Sequence, residues 1–250
     1  MIILYIIVPC YNEEDCLPQT APVFQKKLTA LISSGAISPE SRVMLVDDGS
    51  ADRTWEIIRQ LHEGDKLFSG LRLQPNRGHQ NAVMAGLMEA RKTADITISI
   101  DVDLQDDINA IDGMVDKHSE GYPIVCGVRS KRDSDTFLKR FTAQGYYALM
   151  NLLGAKLIFD HADFRLMDKT ALDKLSYYHG DDLFLRGLAT RLDLPIATVS
   201  YERTPRTAGE SKYTLRKMIK LAMDGFTCGR HRPEKTPRPD DPHIAQRLYS

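Results

Sequence analysis

Residues 1–14 read MIILYIIVPCYNEE: an apolar, β-branched run from Ile2 to Val8 breaks at Pro9-Cys10 and opens into the polar cluster Tyr11-Asn12-Glu13-Glu14. The run is about half of the roughly 20 residues that a membrane-spanning helix requires. No basic segment precedes it, so it makes a poor signal peptide. A short continuous apolar run of this kind predicts a buried parallel strand over residues 2–8, because such strands are covered on both faces.

Outward from this strand the pattern alternates. Helices are expected over 13–32, 52–63, 80–92 and 108–119, and strands over 41–47, 71–73, 96–100 and 124–128. Strands separated by helical segments of this length predict right-handed βαβ units, and hence an α/β fold with a mostly parallel sheet flanked by helices. After residue 130 the style changes. Segment 137–159 is apolar and aromatic, 163–167 and 196–201 read as strands, and 169–175 and 181–192 as helices. A short amphipathic helix is expected at 214–226. From Gly229 onward the chain holds four of its 12 prolines and little apolar periodicity. That composition predicts one domain over 1–228 and a disordered tail over 229–250.

Composition narrows the function classes. The 250 residues are 42% hydrophobic and 27% charged, which excludes a disordered or collagen-like chain. With 33 basic against 34 acidic residues there is no bulk positive field, so no nucleic-acid partner is expected. Cys10, Cys16, Cys126 and Cys228 show no CxxC spacing and read as reduced cytosolic thiols.

The polar clusters fall at the carboxyl ends of the expected parallel strands, where open α/β sheets bind ligands. Strand one ends in Pro9 to Glu14, strand two in Asp47-Asp48-Gly49-Ser50, and strand four in Asp101-Val102-Asp103-Leu104-Gln105. Neither GxGxxG nor a P-loop pattern is present, which disfavours a dinucleotide or Walker-type site. Asp101 and Asp103 point the same way from a strand end. Hard oxygen ligands of this kind suit Mg²⁺ or Mn²⁺ shared with a diphosphate, and Gln105 extends the row. The pair also reads as a solvated acidic turn. Asp47-Asp48 offers acceptors for a base or ribose, or a turn before a helix cap. Asn76-Arg77-Gly78-His79-Gln80-Asn81 opens a helix whose amides can hold an anion, although spacing alone reads His79 sooner as a partly exposed capping residue. Arg203, Arg206 and Lys212 surround a Gly209-Glu210-Ser211 loop that can close over phosphates or stay a charged surface loop.

Taken in order, VPCYNEE, VDDGSADRT, NRGHQNAVMAGL, IDVDLQDD, ADFRLM, FLRGL and RTPRTAGESKY resemble the family-2 glycosyltransferases of GT-A fold. Within them, the chain is similar to the polyprenyl-phosphate glycosyltransferases and dolichol-phosphate mannose synthases, over about residues 3 to 226. The resemblance implies an inverting transferase, dependent on Mg²⁺ or Mn²⁺, that moves a sugar from a nucleotide-diphosphate sugar (uridine preferred) to a polyprenyl phosphate. It implies that Pro9, Tyr11, Asn12, Glu13, Asp47, Asp48 and Gly78 hold the nucleotide, and that Asp101, Asp103 and Gln105 hold the metal. Asp163 would lie at the reaction centre, forming the catalytic set with Asp103, Arg206 and Lys212. Arg129, Arg132, Arg203, Arg206 and Lys212 would bind phosphates.

A lipid substrate implies a peripheral enzyme on the cytosolic membrane face, compatible with a homo-oligomer. Segment 137–159, with Lys139, Arg140 and Lys156 beside its apolar groups, reads as an interfacial helix or as a core helix. Many members of the group continue into two membrane spans, whereas here the chain turns at Cys228 into a Pro-, Arg- and His-rich sequence. The alternatives are a soluble or polysaccharide acceptor, or an inactive nucleotide-sugar-binding subunit.

Overall fold

The computed structural model describes residues 1–130, 161–180, 184–203 and 232–249. Its frame is one eight-stranded sheet in the order β7-β5-β6-β4-β1-β2-β3-β8. The first half alternates as its sequence requires: β1 (Leu4–Cys10), α1 (Leu17–Ser33), β2 (Arg42–Asp47), α2 (Thr54–Gly64), β3 (Phe68–Leu73), α3 (His79–Ala90), β4 (Ile96–Ser99), α4 (Ala110–Ser119) and β5 (Ile124–Arg129). There follow β6 (His161–Asp168), α5 (Lys169–Leu175), α6 (Leu185–Ala189), β7 (Ile196–Tyr201) and β8 (Ile244–Leu248). Strands β4, β1, β2 and β3 are parallel, as are β5 and β7; β6 and β8 run antiparallel to their neighbours. The carboxyl ends of all six parallel strands therefore share one edge of the sheet, and the first residues of β6 join them there.

The central strand is buried on both faces, as its sequence demands. Leu4, Ile6 and Val8 pack with α1, α2 and α4, while Ile7 points into the opposite core, with α3, α5 and α6. Each such side chain contributes about 2 kcal/mol of apolar burial. Helix α3 lies close on β1 and β2 because residue 86 is glycine. A Cβ there would stand 2.5 Å from Ile7 Cγ2 and 2.9 Å from Val46 Cγ2.

Three expectations are corrected. Helix α1 starts at Leu17 rather than residue 13, because the amides of Asn12, Glu13 and Glu14 donate to the loop that follows β2. The helix expected at 181–192 is only the short α6. The tail is not disordered between 232 and 249: it lays β8 antiparallel on β3, with Gly70 facing Leu248 and Leu73 facing Ile244. Composition misled because this strand needs no core of its own. It borrows the edge hydrogen bonds of β3, seats Leu248 against the core, and bonds Tyr249 and Arg247 to the buried Glu89 of α3.

Among the described residues no helix is long and apolar enough to cross a membrane. Segments 137–159 and 214–226, expected as membrane-surface helices, lie outside the described residues.

Candidate active site

The loops after β1 and β2 are stitched into one rim. Asn12 adopts φ +53°, a conformation that asparagine tolerates better than most residues, and its side-chain oxygen accepts the Ala51 amide at 2.9 Å. Its own amide donates to Ser50 Oγ, and that of Glu13 to Thr54 Oγ1. Pro9 is buried within β1, while Tyr11, just past its end, is 50% exposed. An aromatic face open beside backbone donors and acceptors suits a planar base.

Asp47 and Asp48 are both buried, and both are engaged by the protein. Asp47 Oδ1 accepts the Ser50 amide, and Oδ2 lies 3.2 Å from Arg72 Nε in an ion pair not aligned as a hydrogen bond. Asp48 accepts the amides of Arg77 and Gly78 at 2.8 Å each, plus the Asn76 side chain. Burial pushes both carboxyls above their ordinary range, and these hydrogen bonds oppose it. Gly49 makes the junction passable, at φ +70° with its Cβ position 2.8 Å from the Asn76 nitrogen. The expected nucleotide residues Asp48 and Gly78 are thus bonded to each other. Their joint effect is to fix the turn from which α3 starts.

Asp101 and Asp103 leave the end of β4 on the same rim. The Asp101 side chain is 44% exposed. Its carboxyl is nonetheless pushed upward, by the protein packed around it and then by Asp163, Asp103 and Asp106, with His79 opposing. Asp103 accepts the Gln105 amide at 3.2 Å, closing a tight turn in which Leu104 takes φ +49°. Gln105, expected as the third oxygen of the row, is turned inward: it is buried, and its side-chain oxygen accepts from Arg203. Arg129 forms an ion pair at 3.2 Å with the buried Asp106, which also bridges to Arg203 through the backbone. Two of the expected phosphate ligands therefore brace the acidic loop. Arg132, Arg206 and Lys212 lie outside the described residues.

Asp163 enters from β6. Ser99 of the adjacent β4 donates its hydroxyl to the Asp163 carbonyl at 2.6 Å. The carboxylate is gripped by Arg186 of α6 through two parallel bonds, Nε to Oδ1 and Nη2 to Oδ2, each 2.9 Å. Gln80 of α3 donates to Oδ2 at 3.3 Å and accepts the Leu185 amide, tying the two helix starts together. Burial alone would raise this carboxyl; Arg186, first by charge and then by hydrogen bonding, outweighs it and holds Asp163 well below the usual carboxylate range. His79 Nε2 completes the cluster, 3.6 Å from Asp101 Oδ1 and 3.7 Å from Asp163 Oδ2.

Sequence reasoning brought Asp101, Asp103 and Asp163 together but gave no role to Arg186 or Gln80, and read His79 as an anion-site or capping residue. The two helix-start stretches that carry them, residues 78–81 and 184–188, were visible. What was missing was the β6 register that sets Asp163 between them.

The profile of glycosyl transferase family 2 matches residues 5–176. The chain therefore belongs to that family. It is 47% identical to the uncharacterized glycosyltransferase YkoT of Bacillus subtilis, over 90% of this chain and 67% of that protein. It is 34% identical to the bactoprenol glucosyl transferase of Shigella phage SfX, over 89% of this chain and 70% of that one. Among solved structures it resembles glucosyl-3-phosphoglycerate synthase of Mycobacterium tuberculosis, in complex with Mn²⁺, UDP-glucose and phosphoglyceric acid. The TM-score is 0.60 at 18% identity, covering 96% of this chain and 90% of that one, which establishes the shared GT-A fold.

Proposed function

We propose that this glycosyltransferase moves a single sugar, with inversion, from a uridine-diphosphate sugar to a polyprenyl phosphate at the cytosolic face of a membrane. The observation that carries the acceptor class is the bidentate Arg186–Asp163 pair. A carboxylate so gripped, and held below its ordinary range, is a weak base. An alcohol acceptor would need its proton removed at the reaction centre. A phosphate acceptor arrives ionised and needs none. The bactoprenol glucosyl transferases among the relatives support the same reading.

In this account Pro9, Tyr11, Asn12, Glu13 and Asp47 line the nucleoside, with Asp48 and Gly78 fixing the turn beneath it. Asp101 and Asp103 suit Mg²⁺ or Mn²⁺: they are adjacent hard-oxygen donors crowded by negative charge, and diphosphate and water complete such a shell. When bound, the ion offsets charge on the leaving diphosphate. Arg132, Arg206 and Lys212 are assigned to the phosphates, with Arg129 and Arg203 bracing the loop that carries Asp101 and Asp103. The acceptor phosphate oxygen attacks the anomeric carbon as the bond from that carbon to the diphosphate oxygen breaks, and no proton moves. Segment 137–159 supplies apolar area and basic residues for a reversible membrane contact.

The test compares undecaprenyl phosphate with undecaprenol as acceptor, using radiolabelled UDP-glucose and Mn²⁺. Label is expected in the lipid phase with the phosphate alone, and its loss in EDTA is expected to reverse on adding Mn²⁺. Transfer to the alcohol at a comparable rate would overturn the acceptor assignment.

A further inference from the structure

His79 stands where two parts of the site meet. Its imidazole stands between two carboxylates on separate strands, Asp101 after β4 and Asp163 on β6, with Nε2 nearly equidistant from both. Its backbone is not free to drift. Residue 78 is a glycine at φ +87° whose amide is held by buried Asp48, and the next side chain, Gln80, is bonded to Asp163. Arg186 grips Asp163 through both carboxylate oxygens. Among the described residues, the His79 ring lies within 3.7 Å of both the metal-side carboxylate and the reaction-centre carboxylate.

We infer that His79 is a positioning residue that couples Asp101 to Asp163, so that the donor-binding edge of the site and the reaction centre keep one relative geometry. The inference rests on the proposed glycosyl transfer and deepens it. It separates binding the nucleotide, to which His79 is not required, from aligning the sugar with the acceptor, to which it is. Misalignment by about 1 Å at such a centre costs on the order of 10²-fold in rate.

Three measurements test it on the full chain. In steady-state transfer, His79→Ala is expected to lower kcat by about 10–100-fold. The Kd of UDP with Mn²⁺, read by calorimetry, is expected to stay within about threefold of wild type. His79→Gln, which keeps a hydrogen-bond donor, is expected to recover part of kcat. In NMR at fixed pH, the Cε1–H signal of His79, assigned by its absence in His79→Gln, is expected to shift both on adding Mg²⁺ with UDP and on replacing Asp163 with Asn. A His79 signal that ignores Asp163→Asn, or a His79→Ala variant with unchanged kcat, would overturn the inference. So would loss of nucleotide affinity in step with kcat. The NMR arm needs no acceptor. A wild-type protein that transfers nothing to undecaprenyl phosphate would therefore contradict the proposed acceptor while leaving the His79 coupling decided on its own data.

Discussion

Arg186 and Asp163 are worth more as a pair than either is alone. Both are mostly shielded, with side chains 23% and 15% exposed, so removing the guanidinium strands a carboxylate that burial disfavours. Arg186→Gln is expected to cost about 1–3 kcal/mol at pH 7, read from urea midpoints. The sign of its pH dependence follows from the direction of each shift. In the wild type the folded carboxyl lies below its unfolded value, so its stabilisation is present above that unfolded value and is lost only in strong acid. In the variant, with Arg186 gone, burial is expected to outweigh the remaining pull of His79 and Arg165 and to put the folded carboxyl above the unfolded one. Protonation then favours the fold as pH falls. The deficit of Arg186→Gln is expected to shrink from pH 7 toward pH 4.5; a deficit that widens would mean that Asp163 is not held ionised by Arg186.

At the scale of elements, α3 links packing to chemistry. Its far end holds Glu89, its middle carries Gly86 against Ile7 and Val46, and its first turn presents His79 and Gln80 to Asp163. Gly86→Ala pushes a methyl group into side chains of two central strands and is expected to destabilise by about 1–3 kcal/mol. Because the helix must shift to make room, kcat is expected to fall as well, while Gly113→Ala on α4, whose Cβ would meet only Val199 at 3.2 Å, is expected to leave kcat unchanged. Equal effects from the two variants in denaturation and in turnover would separate α3 packing from the site. Strand β8 gives the opposite case. Leu248→Ala removes apolar contact at the β3 edge and is expected to cost about 1–2 kcal/mol with no change in nucleotide affinity. An unchanged urea midpoint would mean that the tail does not pack as described.

Over the whole molecule, what could be read ahead of the structure followed local periodicity. The apolar runs that became β1, β2 and β4, and the polar clusters at their ends, were legible because a strand buried on both faces admits no other composition. Strand β6 was legible as a strand but not as an antiparallel insertion or a register; Asp163 was named through the family resemblance, while Arg186, its partner on a separate helix, was given no role. The Pro-rich tail failed for the same reason: pairing with a distant edge leaves little trace in a short polar strand. Asp48 and Gln105 carry the residue types expected at a nucleotide and metal site and are buried, with side-chain oxygens bonded to the Arg77 and Gly78 amides and to Arg203 respectively, so both help to shape the loops of this rim.

The central claim is that donor binding and sugar transfer are held by different parts of one rim, with Asp163 serving the second. Asp163→Asn keeps the shape of the side chain while removing its charge, so the measurement is UDP–Mn²⁺ affinity by calorimetry beside the rate of transfer to undecaprenyl phosphate, on the same preparation. The expected result is an affinity within about threefold of wild type and a rate lower by about 10²-fold or more, a loss of transition-state alignment rather than of binding. Parallel loss of affinity and rate would place Asp163 in the donor site and contradict it.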